Sequence, residues 1–364
     1  MGYKSSGDKA FFDFYKWTRK VSAEKKRVKE FKAKGGFSRL TKEQEEAVRK
    51  FYAPYKIPDM VFHSYFTDRF GEFHAEFIPQ DIYVGYIDPY YNDIVGAKYL
   101  DNKCYYDALF HGIPQCETVF RRVNGMWLDK DSRPAPVKEM ARIIEGLDCG
   151  IFVKEAQTSA GGSGVTYIPA GQITASKILT AAKQYRTDVI VQKELKQHEA
   201  MAKLNASSVN SLRIYSLLGT DGAAKIYSAV VRMGVEGGKL DNYSAGGMTC
   251  GITEDGHLRR FGVNKAGDKL EEHPTSHTRF EGYEIPSFAE AKELIKKAHP
   301  MVAHYRSIMW DIAIREDGVP VLIEANLCRG GIDSLQSDNG PLYGEDTVKV
   351  LDEVFGRNKK NKKK

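Results

Sequence analysis

Asp311, Glu324 and Asn326 are the residues on which a chemistry can be built. They stand in W-D-I-A-I-R-E-D-G-V-P-V-L-I-E-A-N (310–326), two apolar-rich runs flanking Asp317-Gly318. That dipeptide suits the tight hairpin turns that need φ > 0. With a two-residue loop, Glu316 pairs with Val319, and counting outward puts Asp311 opposite Glu324. Cβ atoms so paired lie roughly 4.5–5.5 Å apart. Asn326 falls two residues further on, on the same face. Trp310, Ile312, Ile314, Val319, Val321, Ile323 and Ala325 are expected on the other face, toward the core. Facing carboxylates repel unless something neutralises them, and a cation is the simplest neutraliser. Two carboxylates and an amide form a hard-oxygen site suited to Mg²⁺ with nucleotide phosphates.

A second chemical element lies upstream. The β-branched run I-F-V-K-E (151–155) leads into T-S-A-G-G-S-G-V (158–165) and a further strand at Val165–Ile168. Glycines such as Gly161 and Gly162, with Ser159 and Ser163, let backbone N–H groups approach phosphate oxygens, and Lys154 supplies a point charge. No G-K-[ST] follows and no helix opens directly, so this is not a Walker A loop. Taken alone, the loop fits a flexible hairpin connection equally well. Arg213 and Arg232 sit inside the runs 211–218 and 225–233, where each could serve a substrate or pair with a structural carboxylate.

The elements that position these residues follow from periodicity and caps. Residues 1–58 are expected to be a basic helical segment broken at Gly35-Gly36, with Thr41 and Gln44 making a capping box for its second helix. Short strands and loops of a small α/β lobe are expected over 60–98. Helices are expected from near Asp101 to before Gly112, over 138–146, over 174–184, from Ser287 to about His304 with a kink at Pro300, and over 346–356. A strand is expected over 188–194. D-N-Y-S-A-G-G-M (241–248) reads as a mobile loop near the site. His273 and His277 have no ligand spacing to other His or Cys and are expected at the surface.

Composition bounds the rest. A chain of 364 residues, 42% hydrophobic and 28% charged, is an ordinary globular protein with room for two or three lobes. No run reaches the roughly 18 apolar residues of a membrane span. The N-terminal stretch lacks the apolar region of a signal peptide. Five scattered cysteines without C-x-x-C point to a reducing cytoplasm and to neither zinc nor a disulfide framework. The net charge of +6 divides into roughly +8 over the first sixty residues, +6 in the tail 357–364 and −8 between. Stacking aromatics do not accompany this charge on the folded body, so a nucleic-acid groove is not expected. The basic ends could instead touch an anionic membrane surface, placing the protein at the inner face of the membrane.

In order along the chain, Lys103 in D-N-K, Lys154 before the Gly loop, the Q-K-E-L strand end, an Arg-bearing strand and D-I-A-I…V-L-I-E-A-N resemble the ATP-grasp superfamily over about Asp101 to Gly356. The lines Y-I-D-P-Y-Y-N-D, D-N-K-C-Y-Y-D, L-N-A-S-S-V-N-S-L-R, D-N-Y-S-A-G-G and F-E-G-Y-E-I-P are similar to the sugar-transfer-associated group within it, and carry the likeness back to about residue 62. The resemblance implies an α+β fold in which two α+β lobes grip ATP. The helical segment 1–58 and a small lobe 59–100 would precede a small ATP-grasp lobe 101–195 and a C-terminal lobe 196–356, with a disordered tail 357–364.

It also implies roles. Lys103, Lys154 and the Ser159–Ser163 loop would bind ATP phosphates. Gln192, Lys193, Glu194 and Leu195 would meet adenine, although Q-K stands where D-alanine–D-alanine ligase has E-K, and Glu199 would take the ribose. Asp311, Glu324 and Asn326 would hold Mg²⁺. Arg213 and Lys154 would be catalytic, while Arg213, Arg232, Asn242, Gly246, Gly247 and Arg329 would face substrate. The implied reaction is ATP-dependent joining of a carboxylate, small or glycan-linked, to an amine in cell-surface polysaccharide metabolism. A phosphotransferase acting on a sugar hydroxyl and a non-catalytic nucleotide-binding protein use the same scaffold as alternatives. The oligomeric state is not written in the sequence.

Overall fold

A computed structural model describes residues 37–94, 96–157, 165–235, 247–264, 266–328 and 330–356, with helical positions 22, 26, 29, 30 and 33. The expected basic tail, the Gly/Ser loop 158–164 and residues 236–246 lie outside the described residues, as does most of the N-terminal segment.

The first regular helix is α1 (Lys42–Tyr52), capped as its sequence demands. Thr41 Oγ1 accepts from Gln44 N at 3.2 Å, and Gln44 Oε1 accepts from Thr41 N at 2.9 Å. Such a cap is worth about 1 kcal/mol. Next comes α2 (Val61–Phe70), closed by Gly71 at φ 96°. The stretch expected to hold short strands is helical instead: Gln80–Ile82, a π turn over Tyr83–Ile87, Asp88–Tyr91 and Ala97–Leu100. Its aromatic residues misled a reading based on β propensity. Tyr52, Tyr83, Phe66 and Phe77 are all buried, and tertiary packing decides their conformation.

Two antiparallel sheets carry the rest. The five-stranded sheet has the order β2-β1-β5-β3-β4, from β1 (Thr118–Val123), β2 (Met126–Asp129), β3 (Ile151–Glu155), β4 (Val165–Ile168) and β5 (Val189–Lys193). Two helices, α3 (Val137–Glu145) and α4 (Ala175–Ala182), belong to the same layer pair. Val119, Phe120, Met140, Ile151, Val153, Ile178, Val189 and Val191 form one core between them. Alternation then puts Phe152, Lys154, Ile190 and Gln192 on the opposite face.

The seven-stranded sheet has the order β10-β9-β8-β7-β6-β11-β12. Its strands are β6 (Ser211–Leu218), β7 (Ala224–Met233), β8 (Met248–Ile252), β9 (Leu258–Asn264), β10 (Lys269–Leu270), β11 (Ser307–Ile314) and β12 (Pro320–Asn326). Helix α5 (Glu199–Leu204) and helix α6 (Phe288–Ala298) share the core of one face with Leu212, Ile214, Trp310, Ile312 and Leu322. Tyr215, Val230 and Met309 emerge on the other face. There they pack with the N-terminal helices, α7 (Asp333–Asn339) and α8 (Thr347–Val354). Trp310 is fully buried, donates to Ser216 Oγ at 2.7 Å and meets Phe110 edge-on at 5.8 Å, which fixes the register of β11.

Two details depart from the sequence reading. The helix expected from Asp101 is broken into a 3₁₀ turn (Lys103–Tyr105) and a short helix (Tyr106–Leu109), because the Asn102 side chain caps Cys104 N. His273 is buried rather than exposed. It accepts from Thr275 N and Ser276 N on Nδ1, so Nε2 donates to Gly234 O at 2.9 Å and pins segment 273–278 to the end of β7. His277 is exposed, as expected. Past α6, Pro300 opens a 3₁₀ turn (His299–Val302) rather than kinking a continuous helix.

Candidate active site

The hairpin β11–β12 does set Asp311 opposite Glu324, but by a different route. The loop is three residues long. Gly318 N donates to Arg315 O at 2.9 Å and Arg315 N to Val319 O at 3.0 Å, with Gly318 at φ 81°. The pairing therefore starts one residue out of the expected register, Ile314 facing Pro320 and Ile312 facing Leu322. A bulge at Ile323 restores it before Asp311 is reached. Leu322, not Val321 or Ile323, accordingly packs in the core beside Ile312.

Around Asp311 the strands supply cations. β6 pairs with β11 so that Arg213 lies directly across from Asp311. Arg213 grips that carboxylate with both prongs, Nε to Oδ1 at 2.9 Å and Nη2 to Oδ2 at 2.8 Å. From β7, Arg232 Nη1 donates to the same Oδ2 at 3.1 Å. Asn326 Nδ2 donates to Met309 O at 3.2 Å and weakly to Asp311 Oδ2 at 3.4 Å. Asp311 is 4% exposed. Burial alone would raise its pKa, but Arg213 and Arg232 outweigh it and hold the carboxyl down to about 2.

Lys103 closes the other end of the row. Its Nζ donates to Glu324 Oε1 at 2.6 Å. Burial works against its charge, yet Glu324, Asp101 and Asp311 together keep the ammonium protonated above its usual range. The backbone around Lys103 belongs to the other sheet's territory. Lys103 N donates to Ala156 O at 2.8 Å, and Asn102 Nδ2 to Asp188 Oδ2 at 2.8 Å. Tyr106 fastens the segment to β12, accepting from Ala325 N at 3.1 Å. Residues 101–109 thus span both sheets, and Lys103 carries charge from one to the carboxylates of the other.

On the five-stranded sheet, Lys154 Nζ donates to Gln192 Oε1 at 3.2 Å, and Tyr167 Oη donates to Glu194 Oε2 at 2.8 Å. Lys193 projects from the opposite face, 2.7 Å from Glu117 Oε2, away from Lys154 and Gln192. Leu195 is half-buried just past the strand, and Glu199 is exposed in the first turn of α5. Gly247 is buried at the start of β8. Ser159, Gly161, Gly162, Ser163, Asn242, Gly246 and Arg329 lie outside the described residues.

The repulsion between Asp311 and Glu324 is thus relieved by the chain itself. Lys103, Arg213 and Arg232 give three positive charges against two negative ones. Facing carboxylates alone therefore do not require a metal here. The donor types still fit Mg²⁺, which is held through one or two carboxylates and completed by substrate phosphates and water. Among the described residues no group of three or more His, Cys, Asp or Glu could hold a metal by itself. Glu324, Asp311 and the Asn326 amide are the residues that would hold it.

The chain belongs to the sugar-transfer associated ATP-grasp family, whose sequence pattern matches residues 85–341. No curated protein matches it. Similar solved structures include the ADP complex of purK, N5-carboxyaminoimidazole ribonucleotide synthetase (9% identity, TM-score 0.38, 64% of this chain and 45% of that one). Another is the ATP-grasp ligase PsnB with a minimal precursor (13%, 0.42, 73% and 64%). A third is D-alanyl-alanine synthetase A from Vibrio cholerae O1 biovar eltor (17%, 0.39, 70% and 65%). The chain spans less than two thirds of the length of each of these proteins. The family assignment rests on the sequence match. No helix among the described residues is long and apolar enough to cross a membrane.

Sequence reasoning did not foresee the Lys103–Glu324 bond, the shared grip of Arg213 and Arg232 on Asp311, or the Tyr167–Glu194 contact. The first two join residues more than 75 positions apart, and no local pattern encodes them.

Proposed function

We propose that this protein is an ATP-dependent ligase that activates a carboxylate as an acyl phosphate and joins it to an amine, on a cell-surface polysaccharide precursor or a related sugar or amino-acid substrate. The observation that supports this best is the row Lys103–Glu324, Asp311–Arg213 and Asp311–Arg232, a cluster with a net positive charge set between the two sheets. A carboxylate is a poor electrophile, and a phosphoryl group makes its oxygen a leaving group. When bound, Mg²⁺ would screen the phosphate oxygens and draw charge from the transferring group.

The chain's own residues do the rest. Lys103 and Lys154 hold phosphate oxygens as point charges. Arg213, fixed by its two bonds to Asp311, sets its guanidinium charge beside the transferring group and spreads the charge of a loose transition state. Arg232, anchored on the same carboxylate, orients the substrate acid. Two arginines locked by one buried aspartate need no reorganisation at the moment of transfer, which is where preorganised charge contributes most. Screening amino acids and uronic-acid sugars for stimulated ADP release, with hydroxylamine in place of the amine, tests the reading. The true acid should yield a hydroxamate. Formation of a stable phosphorylated sugar instead would identify a kinase.

A further inference from the structure

We propose that Asp188, acting through the Asn102 side chain, is a positioning residue that fixes Lys103 and so sets the affinity for the nucleotide's phosphates. This rests on the reading of Lys103 as a phosphate-binding residue. Asp188 stands half-buried immediately before β5. Two donors converge on its carboxylate. Asn102 Nδ2 reaches Oδ2 at 2.8 Å, and Asn124 N reaches Oδ1 at 3.0 Å. Asn124 opens the two-residue turn between β1 and β2, with φ 48°. A carboxylate accepts with both oxygens and carries no donor of its own, which suits it to a place between two donors.

Asn102 is 2% exposed, and both ends of its amide are in use. While Nδ2 donates to Asp188, Oδ1 accepts from Cys104 N at 3.0 Å and so holds the 3₁₀ turn that carries Lys103. The backbone on either side lies along the end of β3. Asn102 bridges Gln157, Lys103 N donates to Ala156 O at 2.8 Å, and Cys104 packs with Ala156 and Ile190. Ala156 N donates in turn to Asp188 O at 2.9 Å. Lys103 is thereby anchored to the segment that carries Lys154, two residues beyond it. From that anchor its side chain crosses to Glu324, while Tyr106 ties the following turn to Ala325. An ammonium on a flexible four-carbon stem is placed only as well as its backbone is held. Its attraction for a phosphate falls with distance. Loosening the Asn102–Asp188 bond therefore weakens phosphate binding without removing the lysine's charge.

The test exchanges donor and acceptor in the full chain and measures MgADP and adenosine binding by calorimetry. Asp188→Asn leaves two donors competing for one acceptor, and Asn102→Asp sets two carboxylates against each other. The double variant Asn102→Asp with Asp188→Asn can make all three hydrogen bonds again, the amide and the carboxylate having changed places. Each single substitution should weaken MgADP about fivefold and leave adenosine unchanged, and the exchanged pair should recover wild-type affinity. Lys103→Met should weaken MgADP at least as much, and Asp188→Asn added to it should cost nothing further, because Asp188 acts through Lys103. A matching loss for adenosine, losses that multiply in the Lys103→Met background, or an exchanged pair no better folded or bound than the singles overturns the proposal. If the singles do not fold, a folded exchanged pair that binds MgADP as weakly as Lys103→Met does the same. A loss in Lys103→Met without one in the singles refutes this assignment alone, whereas wild-type affinity in Lys103→Met removes the phosphate role beneath it as well.

Discussion

Asp311 with its arginines on one sheet, and Lys154 with Glu194 on the other, are held in different ways. On the seven-stranded sheet, Asp311, Arg213 and Arg232 are locked together by bonds of 2.8–3.1 Å in a buried setting. On the five-stranded sheet, Lys154 and Glu194 are half-buried and hold neutral partners, Gln192 and Tyr167. The difference teaches where precision is needed. On the proposed ligase reading, charge that would meet a developing transition state is fixed in advance by ion pairs, whereas charge that would meet an incoming nucleotide stays on partly exposed side chains.

Removing Asp311 should break this contrast most severely. Asp311→Ala leaves the buried Arg232 and the half-buried Arg213 without their carboxylate, which costs roughly 3–5 kcal/mol. Denaturant unfolding should show that loss together with abolished turnover. This differs from the simple expectation of an intact fold, which suits a solvent-facing metal ligand rather than a buried anchor. Glu324 sits at the more open end of the row. Glu324→Ala should cut turnover at least about 100-fold, with a stability loss of only about 1–3 kcal/mol from the orphaned Lys103. Unchanged turnover at saturating Mg²⁺ would remove the hairpin from the mechanism.

Acid should act on two buried rings of the seven-stranded side. Burial holds His63 and His299 neutral, with each ring lowered to about 4. A group whose folded pKa is depressed contributes stability above its unfolded value, near 6.5, and loses it as pH falls toward 4. Both pack on the seven-stranded side, His299 beneath Trp310 and His63 against Tyr52. Residues 118–193 contain no histidine. Between pH 7 and 4.5 each buried ring should therefore cost about 2 kcal/mol. Burial raises Asp81 to about 6 and Asp338 to about 7 on the same side, and these groups gain stability over the same window, so the histidine loss is read as the difference in pH dependence between the wild type and His299→Gln or His63→Gln in denaturant unfolding. Asp311, already down at about 2, stays ionised throughout. The same pH dependence in the wild type and both variants would contradict this. The smallest effect belongs to Lys154→Met, which should weaken ADP binding about tenfold in calorimetry while shifting stability by less than about 0.5 kcal/mol.

Much of this was legible in local pattern. The Thr41–Gln44 cap, the strands at 151–155, 165–168 and 211–218, and the pairing of Asp311 with Glu324 follow from spacing and alternation. The pairing came out right although the turn did not. A three-residue loop shifts the register by one, and a bulge at Ile323 shifts it back. Neither event has a sequence signal as strong as Asp317-Gly318, whose glycine was read correctly as left-handed but in the wrong loop length. Residues 60–98 were misread because buried tyrosines and phenylalanines suit strands and packed helices alike. What local pattern could not supply was partnership: Lys103 with Glu324 and Arg232 with Asp311 exist only once both sheets have formed.

The central claim is that phosphate is transferred to a carboxylate oxygen before the amine attacks. It is tested most directly by turning over an ¹⁸O-labelled carboxylate substrate with ATP and its amine, then analysing the released phosphate by mass spectrometry. The ligase account predicts one labelled oxygen in each phosphate released. Unlabelled phosphate, or a phosphorylated hydroxyl product with no free phosphate, would contradict it.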